Sequence, residues 1–473
     1  MAVLGEGMAR PQVASKGGWG ERLCADSRPR SRQAHWRNLG DRGLLFIVDG
    51  TQIFDVDSAV IERLERACEI DDAAVESVLV GLGIALPGFV DDTPLRSPAL
   101  HALSLAVAQK CNLGCSYCYA GQGEFGGPAM NMNLSTAQQA IDLLVKSSEE
   151  KSRVNLAFLG GEPLANREVL RAATHYAFSL CEERGIKPSF SITTNGTLLT
   201  ASDAEFFEEY GFAVTVSLDG RREDHDRLRP FKDGSGSHDR IIERVLPLLK
   251  AQQKMQVSVR ATVTPGFHDL RGTLEYFLGM NFHSVGFSPV LRSPSGQGEM
   301  SEHDLMVLLD GMVECGLEFE KRTLRGERYA FMNIVNAFHE LHRGTHRPYP
   351  CGAGAGYLGV SASGILSACH RFVGDSEGEL GNLIRGIDPV SQNKWLAERH
   401  VHNQTPCRDC WARYLCSGGC HHEVIARGRT ACTYIRGWLH YCLEAYDRMQ
   451  KVCPEWFIEE CPSRGSNAEM LSR

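Results

Sequence analysis

An α/β protein is the fold class this sequence predicts: six strand–helix units on a parallel sheet, a small α+β unit before them and a cysteine-rich region after. Three observations predict it. From residue 101, apolar segments of strand length alternate with amphipathic helical ones, the pattern of crossover connections and a parallel sheet. Seventeen cysteines are present, and ten of them fall into ordered spacings. At 473 residues the chain exceeds one typical core, so about two to four domains are expected.

The elements follow in order. Residues 1–40 are rich in Arg, Gly, Ser and Pro with little periodicity and are expected to be a flexible tail. Within 41–95, GLLFIVDGTQIFDV reads as two short strands around an Asp49-Gly50 turn. Asp57 then caps a helix that places Val60, Ile61 and Leu64 on one face, and DDAAVESVLVGLGI offers a second helix. From 96 to 320 the expected strands are 103–109, 154–159, 187–193, 212–218, 255–263 and 283–290, with helices such as LSTAQQAIDLLVKSSEE, capped by Ser135, and DRIIERVLPLLKAQQK between them. Residues 321–445 form the cysteine-rich region, and 446–473 a polar tail.

Composition excludes some functions. A net charge of −8 and a pI near 6.1 argue against a general nucleic-acid binder. No apolar run approaches the roughly 20 residues that span a bilayer. The N-terminal segment lacks the apolar core of a secretory signal, so a cytoplasmic location is expected. In a reducing compartment, cysteines in ordered spacings point to metal or cluster ligation rather than disulfides.

Chemistry concentrates at predicted strand ends, where parallel α/β folds place their sites. Directly after the first strand comes AQKCNLGCSYCYAGQGEFGG, with Cys111, Cys115 and Cys118 in C-x3-C-x2-C spacing. Four thiolates complete a [4Fe–4S] cube, so three leave one iron open to a non-protein ligand; a zinc knuckle short of one ligand and a group of buried thiols are the alternatives. After the second strand stands Gly160-Gly161-Glu162-Pro163, where glycines allow close backbone approach and Glu162 accepts hydrogen bonds from an ammonium group. Asn195 follows the third strand, Ser217 and Asp219 the fourth, and Arg260 lies in the fifth; an ordinary turn and surface ion pairs are the plain readings of these. Farther on, Cys351-x12-Gly364-x4-Cys369 precedes Cys407-x2-Cys410-x5-Cys416-x3-Cys420. Without the first loop, such C-x2-C pairs would read as zinc sites.

Together these motifs resemble the radical S-adenosylmethionine (SAM) enzymes with a C-terminal SPASM domain, a group of peptide and protein maturases. The resemblance implies a partial (β/α)6 barrel and three [4Fe–4S] clusters, with SAM as cosubstrate. Cys111, Cys115 and Cys118 would hold the first cluster. Glu162 would bind the SAM amino group, Ser217 and Arg260 its ribose and carboxylate, and Tyr117 would lie near the adenine, with Gly160, Gly161 and Asn195 in the same SAM site. Cys351, Cys369 and Cys420 would ligate one auxiliary cluster, left with an open iron for a substrate thiolate. Cys407, Cys410, Cys416 and Cys442 would ligate the other, with Cys432 the runner-up for the last position. The run SLDGRREDHDRLRPFKDGSGSHDRI resembles the peptide-modifying branch and makes Asp219, His225 and Asp226 acid–base candidates, Asp219 as the group that deprotonates a thiol.

Around Cys111 and Cys369 the wording is most similar to the enzymes that mature quinohemoprotein amine dehydrogenase by joining cysteine sulfur to Asp or Glu methylene carbons. A small cysteine-containing peptide or protein subunit is then the expected substrate, and a flavodoxin or ferredoxin the expected electron donor, with no nucleic acid or membrane as partner. Formylglycine formation, carbon–carbon crosslinking and a non-catalytic zinc adaptor are the alternatives. The 41–95 unit resembles leader-peptide recognition domains; a structural cap on the main domain is the other reading.

Overall fold

The computed structural model describes residues 18–84, 93–267 and 269–460. Helix α1 (Trp19–Asp26) leads into an antiparallel sheet of β1 (Ala34–Asn38), β2 (Gly43–Ile47) and β3 (Gln52–Val56), followed by α2 (Ser58–Cys68) and α3 (Asp72–Gly81). Asp57 caps α2 as expected, accepting from the Ala59 N–H at 2.9 Å. One sheet face shares a small core with these helices through Trp36, Leu45, Ile47, Ile61, Leu64, Val75 and Leu79. Alternate residues of β2, Leu44 and Phe46, point the other way into the main core, so this strand is buried on both faces.

The expected tail over 1–40 is corrected for residues 19–38, which form α1 and β1; residues 1–17 lie outside the described residues. Leu23 and Cys24 are buried where α1 packs on the long helices near the C-terminus. In β1, Trp36 enters the small core while His35 faces the C-terminal region. A strand reading AHWRN carries too little apolar periodicity to announce itself.

The barrel region runs β4 (Ala102–Gln109), β5 (Met130–Asn131), α4 (Leu134–Lys146), β6 (Arg153–Gly160), α5 (Arg167–Glu183), β7 (Lys187–Thr194), α6 (Ala201–Glu209), β8 (Ala213–Ser217), α7 (Arg222–Leu228), α8 (His238–Ala251), β9 (Gln256–Val263), α9 (Leu270–Gly279) and β10 (Ser284–Pro289). The six long strands lie parallel in the order β4-β6-β7-β8-β9-β10, each beside its predecessor. With β10 at its edge the sheet stays open, a partial barrel with every expected strand in place. The cap of α4 is Asn133 rather than Ser135: its Oδ1 accepts from the Thr136 N–H at 2.7 Å and from the Ser135 hydroxyl at 2.8 Å.

Apolar residues on β6 to β9 occupy alternate positions. Val154, Leu156, Phe158, Phe190, Ile192, Val214, Val216, Val257 and Val259 join the main core. The intervening Asn155, Ser189, Ser191, Thr193, Thr215, Ser217, Ser258 and Arg260 are half-buried or exposed. Period-two alternation of this kind marks a sheet covered by helices on one face only, and it leaves a concave face lined by small polar groups.

After β10 come α10 (Glu302–Thr323), α11 (Met332–His342), β11 (Tyr357–Val360), β12 (Ile365–Ser367), β13 (Glu379–Asn382), β14 (Gly386–Ile387), α12 (Pro389–Arg399), α13 (Arg413–Cys416), α14 (His421–Arg427), α15 (Cys432–Val452) and α16 (Pro454–Glu460). Strand β11 pairs parallel with β4, Tyr357 to Val360 against Ala102 to Leu105, and β12 to β14 continue antiparallel from it. The cysteine-rich region thereby extends the barrel's own sheet. The expected tail from 446 is corrected as far as residue 460: α15 and α16 continue in helix because Met449 and Phe457 are buried in the core, while 461–473 lies outside the described residues. Among the described residues no helix is long and apolar enough to cross a membrane.

Candidate functional site

The cysteine loop leaves the carboxyl end of β4 and is fastened on both sides. Gly114 N–H donates to the Pro230 carbonyl at 2.8 Å, and Leu113 bridges Phe231. Opposite, Gly161 N–H donates to Ala108 O at 2.8 Å and Glu162 N–H to Lys110 O at 2.9 Å. A Cβ on Gly160 would stand 2.4 Å from Ala108 O, and one on Gly161 would stand 2.3 Å from Lys110 O. Glycine is therefore required here by the approach of two backbones.

Glu162 is fully buried, and its carboxylate accepts from Leu164 N–H at 3.1 Å, the Thr194 hydroxyl at 2.7 Å and Asn195 N–H at 2.7 Å. Burial raises its pKa, and those three donors oppose the rise. Asn195 donates its side-chain N–H to the Cys111 sulfur at 3.6 Å and to Asn112 Oδ1 at 2.9 Å. Glu162 thus fixes the end of β7 so that an amide reaches the cysteine loop. Ser217 pairs in register with Arg260, whose guanidinium donates to the Ser288 hydroxyl at 2.9 Å on the concave face.

Tyr117 donates a short hydrogen bond to Asp219 and accepts from Arg229 at 2.6 Å. Arg229 also lies 3.9 Å from the Asp219 carboxylate. Thr262 N–H donates to the other Asp219 oxygen at 2.9 Å. Burial raises the Asp219 carboxyl above its ordinary value while Arg229, Tyr117 and Thr262 pull it back. With both oxygens engaged and no exposure, Asp219 is a positioning group for Tyr117 and Arg229, a correction to its reading as the base for a thiol. His225 and Asp226 are corrected likewise. His225 Nδ1 accepts from Asp219 N–H at 3.2 Å, Nε2 lies 3.0 Å from the Ser237 hydroxyl, and burial lowers its pKa to about 2. Asp226 accepts from Ser237 N–H and His238 N–H, both at 2.8 Å, and so fastens the start of α8. Arg229 carries no motif of its own; only its place in the SLDG segment hinted at it.

The C-terminal cysteines form two further groups. Cys351, Cys369 and Cys420 lie near one another: burial raises Cys369 to about 12, with Cys420 and Cys351 adding to the rise. Arg371 donates its backbone N–H to the Cys369 sulfur at 3.4 Å and its guanidinium to Cys420 at 3.4 Å, and pairs with Glu423 at 2.7 Å. Cys407, Cys410, Cys416 and Cys432 line a second cavity. Burial, with Cys432 and Cys410 contributing, raises Cys407 to about 11 and Cys416 to about 12.

Cys442 is absent from this group, against expectation. It lies ten residues along α15 from Cys432, about 15 Å of helix. There it is fully buried beside Glu320, its thiol raised by burial and then by that carboxylate. The fourth member of the group is Cys432, the first residue of α15.

Tyr119 joins the first two groups. Burial raises its phenol, Arg371 opposes the rise, and Cys118 and Cys369 add to it. Its ring makes edge contacts with Phe125, His370 and His422, and the Arg371 guanidinium lies 5.0 Å from its centroid.

All sixteen described cysteines are free. Among the described residues no three Cys, His, Asp or Glu side chains converge as ligands of one metal ion. The ten grouped thiols do fit sulfur-ligated iron clusters. They are all-sulfur donor sets, and N–H donors from Leu113, Asn195 and Arg371 aim at the sulfurs of Cys111, Cys369 and Cys420.

Comparison with known proteins agrees with this architecture. Residues 105–276 match the radical SAM superfamily model. It is similar to the radical SAM cyclopropyl synthase TigE of Paramaledivibacter caminithermalis, 26% identical over 344 residues and covering 68% of each chain. The serine-type anaerobic sulfatase-maturating enzyme of Klebsiella aerogenes is 25% identical over 70% of this chain and 82% of its own. Native anSMEcpe with bound AdoMet and Cp18Cys peptide superposes with a TM-score of 0.61 at 20% identity, over 76% of this chain and all of that one. Streptococcus suis SuiB bound to precursor peptide SuiA gives 0.50 at 16% identity, over 84% and 96%.

Proposed function

We propose that this chain is a cytoplasmic radical SAM maturase that joins cysteine sulfur to an Asp or Glu methylene carbon in a small cysteine-containing protein subunit, that of quinohemoprotein amine dehydrogenase. The observation that supports the reading is Tyr119, whose buried phenol is influenced by Cys118 of the first loop and by Cys369 of the later group. A hydrogen-abstracting centre and a thiol-binding centre would have to sit side by side for sulfur and carbon to meet. The similarity to peptide-modifying relatives supports a peptide substrate.

In this reading Cys111, Cys115 and Cys118 hold the SAM-binding cluster; Cys351, Cys369 and Cys420 hold an auxiliary one, and Cys407, Cys410, Cys416 and Cys432 another. A reduced cluster with SAM supplies a carbon-centred radical able to take hydrogen from an unactivated C–H bond. The chain's own residues do the rest. Gly160 and Gly161 let the strand end close over the cysteine loop, and Asn195 and the Leu113 N–H hold the Cys111 sulfur. Arg260 and Ser217 offer a cation and a hydroxyl on the concave face for SAM. Tyr117, held by Asp219 and Arg229, walls that site. Arg371 donates to two of the auxiliary sulfurs and so favours the charged form of Cys369. A reduced flavodoxin or ferredoxin is the electron donor.

The sulfatase-maturating relatives favour a second reading, oxidation of a side chain to formylglycine. One experiment separates the two. The small subunit is co-expressed anaerobically with this protein, weighed intact, and treated with iodoacetamide. Thioether formation removes about two hydrogens per linkage and leaves the sulfur resistant to alkylation, and Cys111→Ala abolishes both changes. An unchanged mass in the presence of loaded clusters rejects this substrate. Lost hydrogens with every thiol still alkylated reject the thioether.

A further inference from the structure

A cavity of about 160 Å³ opens beside Tyr119, lined also by Phe125, Arg292, Arg371, Asp375 and His422. Two of its charged groups are already committed. Arg371 pairs with Glu423 at 2.7 Å, and Asp375 accepts from the Glu377 N–H at 3.0 Å to start a helical turn. Two polar groups are not. Arg292 is exposed and makes no ion pair among the described residues. His422 is 8% exposed, and its Nδ1 is buried with no hydrogen-bond partner.

Arg292 also stands on a fixed backbone. It lies in the loop between β10 and α10, where Arg427 donates to the carbonyls of Leu291 and Met300 and pairs with Glu299 at 3.3 Å. Glu299 in turn accepts from the Ser293 N–H at 2.8 Å. Both neighbours of Arg292 are therefore tied down, so binding an anion there orders one side chain and no backbone. A guanidinium without a carboxylate, held at the mouth of an aromatic-walled cavity, fits a planar carboxylate in two-pronged fashion.

We propose that this cavity holds the side-chain carboxylate of an Asp or Glu residue of the substrate, with Arg292 as the specificity-determining group and His422 as a second polar contact. The inference rests on the reading of the substrate as a peptide and deepens it. A carboxylate gripped by Arg292 sets its adjoining methylene beside Tyr119, which lines the same cavity.

The test uses the full chain, reconstituted anaerobically with iron, sulfide and SAM. Two fluorescein-labelled peptides copy a small-subunit segment with one cysteine and one aspartate, the second with Asn in place of Asp. The wild type is expected to bind the Asp peptide roughly tenfold more tightly, with the preference shrinking at high salt. Arg292→Leu should remove the preference while leaving Asn-peptide affinity and iron content unchanged, and Arg292→Lys should restore part of it. Equal binding of the two peptides by the wild type, or an undiminished preference in Arg292→Leu, overturns the proposal. A preference that depends on Arg292, in an enzyme whose product lacks a thioether, upholds the site and refutes only the reaction. A loaded enzyme that binds neither peptide overturns both.

Discussion

The Cys111 loop and the Cys407–Cys432 site hold the same kind of side chain by different means. In the barrel, backbone hydrogen bonds to the end of β6 and to the segment after α7 fasten the loop before any ligand arrives: Gly114 to Pro230, Gly161 to Ala108, and Glu162 to Lys110. In the C-terminal region the cysteines ride on a single 3-10 turn (Cys407–Asp409), on the four-residue α13 and on the first residue of α15. The first two pieces, of three and four residues, are too short to be stable alone. A sheet positions its site, whereas a ligand must help to assemble a site made of fragments.

Four measurements would break or sharpen this contrast. The largest effect is expected from Cys115→Ser, which should abolish SAM cleavage, read as 5′-deoxyadenosine, by about a thousandfold or more while the melting temperature barely moves. Cys416→Ser should do the reverse in kind, lowering the melting temperature by several degrees as the fragments lose their tie; equal thermal effects would dissolve the distinction. Next, iron analysis should find about four fewer atoms per chain in Cys432→Ser and full loading in Cys442→Ser; the opposite result would return the ligand role to Cys442.

A smaller effect is expected at Asp203, buried at the start of α6 with Arg167 and Arg171 both at 2.9 Å. Asp203→Ala should destabilise the barrel by about 3 kcal/mol in denaturant titrations. Burial raises this carboxyl, but the bonds from Arg167, Thr200 and Arg171 outweigh it and leave the pKa below 3.8. Its stabilisation is thus complete above 3.8 and fades as pH falls toward the lowered value.

The smallest concerns His35, stacked on Trp411 at 4.0 Å and 2.7 Å from His440. Burial, then His440, Arg30 and Arg37, holds its pKa well below 6.5, so the unfolded chain takes up the proton first. Stability from this contact is whole above pH 6.5 and declines below it. Amide exchange in β1 should accelerate between pH 6.5 and 5 more than in β4, and His35→Gln should flatten that dependence.

Legibility followed the same divide. All six barrel strands and the motifs at their ends could be read from the chain, because apolar periodicity and the strand-end rule are local signals. The alternation that opens a polar concave face was also written there, in the serines and threonines of β7 to β9, although the strands read simply as apolar. Strand β1 was missed because AHWRN earns its place only against β2 and Trp411. Cys442 was preferred to Cys432 because spacing along a chain says nothing of which end of a helix meets a loop. Asp219 looked like a base until its two oxygens were seen to be occupied. Arg292 left no signal, since the cavity it lines is assembled from segments far apart in the chain, around Tyr119, Arg371 and His422.

Strand β4 has a consequence for how the protein is made. Its outer edge is covered in two halves, by β5 at Ala108 and Gln109 and by β11 from Ala102 to Leu105. The first cover follows within thirty residues; the second is encoded some 250 residues later. A ribosome needs roughly 10–50 s to cross that interval, and until then the half of β4 from Ala102 to Leu105 keeps unpaired amides and carbonyls on that edge. An edge left open for that long is a place where the nascent barrel can pair with other chains until β11 emerges. A fragment ending before residue 357 should aggregate even though it contains every residue of the SAM site.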